Sequence, residues 1–262
     1  NFMERSMAVT AFAPSRHFGW EVSANKKWWI ATAGIFTQTI EDAETSTYVE
    51  DNNKDFGRDQ GISLTGKLVL LPVGIHKNYG VHLAYAWSTR QAKTDVDPAE
   101  YGGIRYSTRS LSNINRKKYL DTDVIPDYDH QEISNIEAAA YYKGMAVQSE
   151  IIRNKTVRSN DKDNLYFGGF YVQAVGLLFG GRQVYDKMEG EFTQPDRGKK
   201  WGDIELALRY DYIDLNNKSI HGGSAEGLTA GVNFYAARNV KFQVNFSHLN
   251  HDRYANGKGN YL

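Results

Sequence analysis

Arg105 and Arg109 flank Ser107 in the run GGIRYSTRS, each two positions from it. Alternate residues of an extended chain share a face, so these three would present two guanidinium groups and a hydroxyl to one side. Arginine's planar fork meets phosphate oxygens two at a time and does not lose its charge. Arg209 and Lys241 add two more cations on the polar sides of strictly alternating runs. The chemistry of such a set is anion recognition rather than bond making. The blander readings stay open. Arg105 and Arg109 can be solvated loop charges, and Arg209 and Lys241 can neutralise Glu205 and Asp211 in a wet interior.

Other constellations carry less. Asp51, Asn53 and Asp55 have the spacing of a calcium loop, but Phe56 stands where glycine is required and no closing glutamate follows. His248 and His251 lack a third ligand and read as surface histidines. The glycine pairs at 168–169, 180–181 and 222–223 match no phosphate loop and read as bends. No Ser-His-Asp or paired-carboxylate arrangement follows from spacing, so no enzyme, metal or cofactor is expected. Cysteine is absent, which removes thiol nucleophiles and disulfides. The 31 basic residues balance 31 acidic ones, so bulk attraction for nucleic acid is not expected.

The elements that must position these residues are strands. Between Trp201 and Asn250 three runs alternate without a break. Leu206 and Leu208 oppose Ala207 and Arg209; Val232 and Phe234 oppose Gly231 and Asn233; Phe242 and Val244 oppose Lys241 and Gln243. Each run makes a ribbon with one oily and one polar face. No stretch is apolar enough for a membrane helix, yet half of each strand of a membrane barrel is polar by construction. Aromatics reach 13%, and Trp28, Trp29, Trp87 and Trp201 fall near strand ends, as in a bilayer girdle. A soluble β-sandwich or sugar-binding module would turn the same oily faces inward.

The connections organise the chain as antiparallel and up-and-down. Tight links at 24–27, 72–79, 143–144 and 236–239 share one side if residues 91–131 form a single connection. The long segment 183–200 is the exception on that side. Residues 1–16 lack alternation and read as a loop. The result is one domain over 1–262 with about ten wall strands, open at both edges. The chain opens at Asn1 without a start methionine or signal peptide, so an internal fragment is expected, its missing ends completing the barrel.

Four stretches carry a resemblance: FMERSMAVTAFAPSRHFGWEV, IRYSTRSLSNINRKKYLDTDVIPD, YFGGFYVQAVGLLFGG and the tail WGDIELALRYDYIDLNNKSIHGG to FQVNFSH. In this order they resemble the porin O and P family of phosphate-selective outer-membrane porins. That resemblance implies a transmembrane, all-β, antiparallel barrel of the sixteen-stranded, homotrimeric kind, of which strands six to fifteen would be present. It implies that 1–16 belongs to a constriction loop, with Arg5 and Arg16, and that 91–131 is a second inward-folded loop. It further implies passive diffusion of small hydrophilic solutes, anions such as phosphate, across the outer membrane of a Gram-negative bacterium. Partners would be membrane lipid, sister subunits and other envelope proteins. Ser107 thins the family's arginine ladder, and no net positive charge backs it. Arg5 can instead pair with Glu4 or a wall aspartate. The alternative is a porin-like barrel acting as a structural or partner-binding subunit of a larger outer-membrane assembly.

Overall fold

The computed structural model describes residues 2–14, 17–39, 61–91, 103–109, 111 and 117–252. Ten strands form one antiparallel sheet: β1 (His17–Asn25), β2 (Trp29–Thr39), β3 (Ser63–Leu70), β4 (Tyr79–Gln91), β7 (Tyr128–Tyr142), β8 (Met145–Arg158), β9 (Leu165–Leu177), β12 (Asp203–Asn217), β13 (Ile220–Ala237) and β14 (Val240–Asp252). Spatial order follows chain order throughout, so each wall strand pairs with its sequence neighbours in the wall. This is the wall of an up-and-down barrel, and β1 and β14 are its edges among the described residues.

Two short ribbons lie outside the wall. β5 (Ser107–Arg109) pairs with β6 (Lys118–Asp121), and β10 (Tyr185–Asp186) pairs with β11 (Glu191–Phe192). One short helix, α1 (Met7–Phe12), is capped by Ser6, whose hydroxyl accepts the Val9 amide at 3.2 Å. A helix within 1–16 departs from the expected loop; six residues are too few to show a helical period in the sequence. β7 begins at Tyr128, inside the span assigned to a loop, and β13 begins at Ile220, well ahead of the alternating run that holds Val232 and Phe234. The β12–β13 link is therefore a two-residue turn, with Lys218 at φ 51°. Polar residues hid both strand ends, because beyond a membrane boundary the outer face no longer needs to be oily.

The outer face carries the alternation. Leu206, Leu208, Val232, Phe242 and Val244 all point outward, Val244 with 71% of its surface exposed. A continuous apolar band of this extent suits lipid rather than water. On the inner face β12 presents Asp203, Glu205, Ala207, Arg209, Asp211, Ile213 and Leu215, every one buried. The inserted segments bury them, and they do so in two apolar clusters. One joins Met7, Ala8 and Phe12 of α1, and Tyr106, Leu120 and Ile125 of the 92–127 connection, to Ile133, Ile152, Phe167, Ile213 and Leu215 of the wall. The other sets Tyr185, with Phe192, on Ile30, Val69, Ala84, Tyr141, Val175 and Ala207. Each fully buried aliphatic or aromatic side chain contributes about 1.5–3 kcal/mol, enough to hold such segments inside.

Candidate functional site

The inner face is shaped by three inserted segments, each fixed to the wall by its own polar anchor. The first is the helix segment. Arg209 donates from Nε to Asp211 Oδ2 at 2.6 Å and from a terminal nitrogen to the Glu4 carbonyl at 2.9 Å, and its guanidinium lies over the Phe2 ring. Asp211 in turn accepts the Met7 amide. α1 reaches the wall because Gly169 has no side chain: a Cβ there would stand 2.9 Å from that of Ala8 and 2.4 Å from the Tyr212 carbonyl oxygen. Arg5, next to this anchor, stays exposed.

The second anchor is Tyr106. Its hydroxyl donates to Gln131 at 2.8 Å and lies 2.9 Å from the Thr156 hydroxyl, and burial pushes its pKa up. Tyr106 and Thr108 are buried, so the ribbon's other side carries Arg105, Ser107 and Arg109 away from the wall. Arg105 grips the Asp121 carboxylate through two nitrogens, Nε at 2.7 Å. This hydrogen bond raises the Arg105 pKa. Burial alone would lift the Asp121 carboxyl, but Arg105 and the Asp123 amide hold it below the usual aspartate value. Arg109 is half-buried and engaged.

The third segment runs from β9 to β12 on the short-turn side. The buried Asp203 carboxylate collects the amides of Phe179, Gly181 and Gly198 at 3.0, 2.9 and 2.8 Å, closing the segment into a loop. Gln183 donates to Glu205, which also accepts from Asn233 and Tyr235. Tyr185 reaches across to His82 at 2.6 Å, and a chain continues through Glu137 to Lys67. Beside this loop lies a cavity of about 690 Å³ whose lining includes Arg182, Arg197, Lys199 and Arg238 against one carboxylate, Asp196. Asp196 pairs with Arg182 at 3.2 Å, and Arg197 is aimed by the Ala236 carbonyl at 2.7 Å. An adjoining cavity contains Tyr235 and Lys241, whose ammonium lies 5.9 Å from the Tyr235 ring centre.

The structure thus separates the cations picked from the sequence. Arg209 is buried against Asp211 and serves as an anchor. Arg105 is bridged to Asp121, Lys241 lines the cavity adjoining the basic one, and Arg16 lies outside the described residues, as do Asp51, Asn53 and Asp55. Glu205 is met by neutral donors rather than by Lys241. His251 stacks on Tyr119, and among the described residues no three metal-ligating side chains converge. The basic cluster at 182–199 and Arg238 was not singled out from the sequence. Apolar residues on the nominally polar faces, Phe167, Ile213 and Leu215, did signal inserted cover, but that cover is α1 and the 92–127 connection rather than the 182–199 segment.

A family model described as phosphate-selective porin O and P matches residues 1–261. An uncharacterized protein of Caulobacter vibrioides is 24% identical over 257 residues, which cover 95% of this chain and 49% of that protein. The chain therefore spans about half the length of this relative.

Proposed function

Since the chain belongs to the phosphate-selective porin O and P family, we propose that it forms part of a passive channel for small anions such as phosphate. The full protein would sit as a homotrimer in the outer membrane of a Gram-negative bacterium. Family membership supports a channel rather than an enzyme. The observation that carries the reading is the basic cavity at the short-turn end, where four cations face one carboxylate in a chain of zero net charge. Phosphate holds its hydration tightly, so a pore that passes it must offer closely spaced donors. Arg182, Arg197, Lys199 and Arg238 supply such donors at one mouth, with Lys241 adjoining. Arg105 and Arg109, on the side of the 105–109 segment turned away from the wall, act toward the other mouth, and Arg5 and Arg16 act at the constriction loop. Local placement matters more than the total because two charges about 4 Å apart interact by about 4 kcal/mol at an effective dielectric of 20.

Reversal potentials of the full-length protein in a salt gradient test this. Lys199→Glu with Arg238→Glu should lower anion preference and leave the barrel folded. An unchanged reversal potential, or a cation-selective parent, overturns the reading. The two apolar clusters on the inner face favour a second reading, a plugged barrel serving as a structural subunit of an envelope assembly. A parent protein without measurable conductance would decide for it.

A further inference from the structure

The outer face holds a cation that the channel does not use. Outward residues of β8 run Met145, Val147, Ser149, Ile151 and then Arg153; those of β9 run Val172, Phe170 and then Gly168; those of β4 run Leu83, Tyr85 and Trp87. In register, Arg153 pairs with Ser134 on one side and Gly168 on the other, and Ser134 pairs with Trp87. The apolar band therefore gives way to polar residues at Arg153, on the side of the longer loops. A cavity of about 570 Å³ opens there, bordered by Tyr85, Trp87, Tyr166, Arg153 and Lys155. Gly168 helps keep it open: a Cβ at that position would lie 2.9 Å from the Ile152 carbonyl oxygen and 3.9 Å from Cγ of Arg153.

The charges do not balance. Glu132 accepts Lys155 at 3.3 Å and lies 3.6 Å from His130. Asp214, in register with Gly168, accepts both the amide and the side-chain nitrogen of Asn216. Arg153 makes no ion pair or side-chain hydrogen bond among the described residues. An exposed guanidinium at the top of a lipid-facing band, between aromatic rings that favour the bilayer interface, suits an anionic group attached to an apolar tail.

We propose that this cavity binds the phosphate of a lipid headgroup, with Arg153 as its principal donor and the acyl chains lying along Ile151, Ile136 and Tyr85. The site is separate from the ion path, because Arg153 and the inner-face residues lie on opposite sides of the sheet. Its lipid would be drawn from the leaflet on the long-loop side.

The test uses the full-length protein in phosphatidylcholine nanodiscs containing a minor fraction of phosphatidic acid, with retained lipid counted by native mass spectrometry. The parent should retain phosphatidic acid above its share of the bilayer. Arg153→Ala should weaken retention about fivefold, as for one cation lost beside an anionic surface. Arg153→Lys should keep most of it and Arg153→Glu should abolish it, while reversal potentials stay at the parent value. Inorganic phosphate should not displace the lipid, which distinguishes a headgroup site from a free-anion site. Equal retention by the parent and Arg153→Glu overturns the proposal, as does displacement by inorganic phosphate or protection of this face between copies of the chain. A shifted reversal potential in Arg153→Ala would likewise overturn the separation from the ion path, without bearing on whether the protein is a channel.

Discussion

Arg209 and Asp211 stand two residues apart on one strand and meet at 2.6 Å, both side chains 4% exposed or less. Their shared face lets one carboxylate hold both the guanidinium and the start of α1. Removing either partner leaves a buried charge without its counter-charge. Asp211→Asn or Arg209→Ala should cost about 3–5 kcal/mol, and the double replacement with neutral residues should cost less than the sum. Urea unfolding of the protein refolded into liposomes gives both numbers. Additive losses would show the two side chains to be independent.

The Arg105–Asp121 pair makes a different prediction, because Arg105 is half exposed. Screening limits its worth to about 0–1 kcal/mol, so Asp121→Asn should leave the fold intact. It should also release Arg105 to the solvent and raise anion over cation permeability by up to about fivefold, the factor for about 1 kcal/mol between charges in water. A reversal potential equal to the parent's would show that this cation does not act on the permeating ion.

Acid should do what that substitution does. The Asp121 pKa is depressed in the folded protein, so its contribution is complete above the ordinary aspartate value of 3.8. That contribution is lost as pH falls through the lower folded value. Anion preference should therefore rise as pH falls below the ordinary aspartate value, and the rise should be smaller in Asp121→Asn. Equal acid responses in the two proteins would place the titrating group elsewhere.

The β10–β11 loop covers the inner face at the short-turn end through Tyr185 and Gln183. Replacing residues 184–193 with a short Gly-Ser linker should raise single-channel conductance, because the wall strands remain paired without it. His82→Phe should loosen the loop less, since it removes the hydrogen bond to Tyr185 but keeps the apolar contact. Conductance unchanged by the linker would mean that the loop does not restrict the path.

On the lipid side, Val232→Lys should cost about 2–4 kcal/mol near the membrane midplane. Asn233→Ser, one residue on, faces the Glu205 network and should leave lipid insertion unaffected, although it forfeits a hydrogen bond. Refolding yield into liposomes separates the two.

Alternation alone determined most of the wall. Leu206 with Leu208, and Val232 with Phe234, fall on one face in any extended chain, so which residues share the oily face follows from period two, while the family resemblance turned that face to lipid. Short links then ordered the strands, since a two-residue turn leaves no other neighbour. What only the tertiary structure decided is which charges are available. Nothing near Arg105 in the sequence marks Asp121 as its partner, and nothing near Tyr185 marks His82, because the first pair closes only when the 92–127 connection folds back on itself and the second joins segments far apart in the chain. Whether a cation is bridged, buried or left to meet an ion depends on such closures. The same holds for Ile213 and Leu215, apolar on a polar face: the sequence carries the anomaly, but only the packed loops supply its partner.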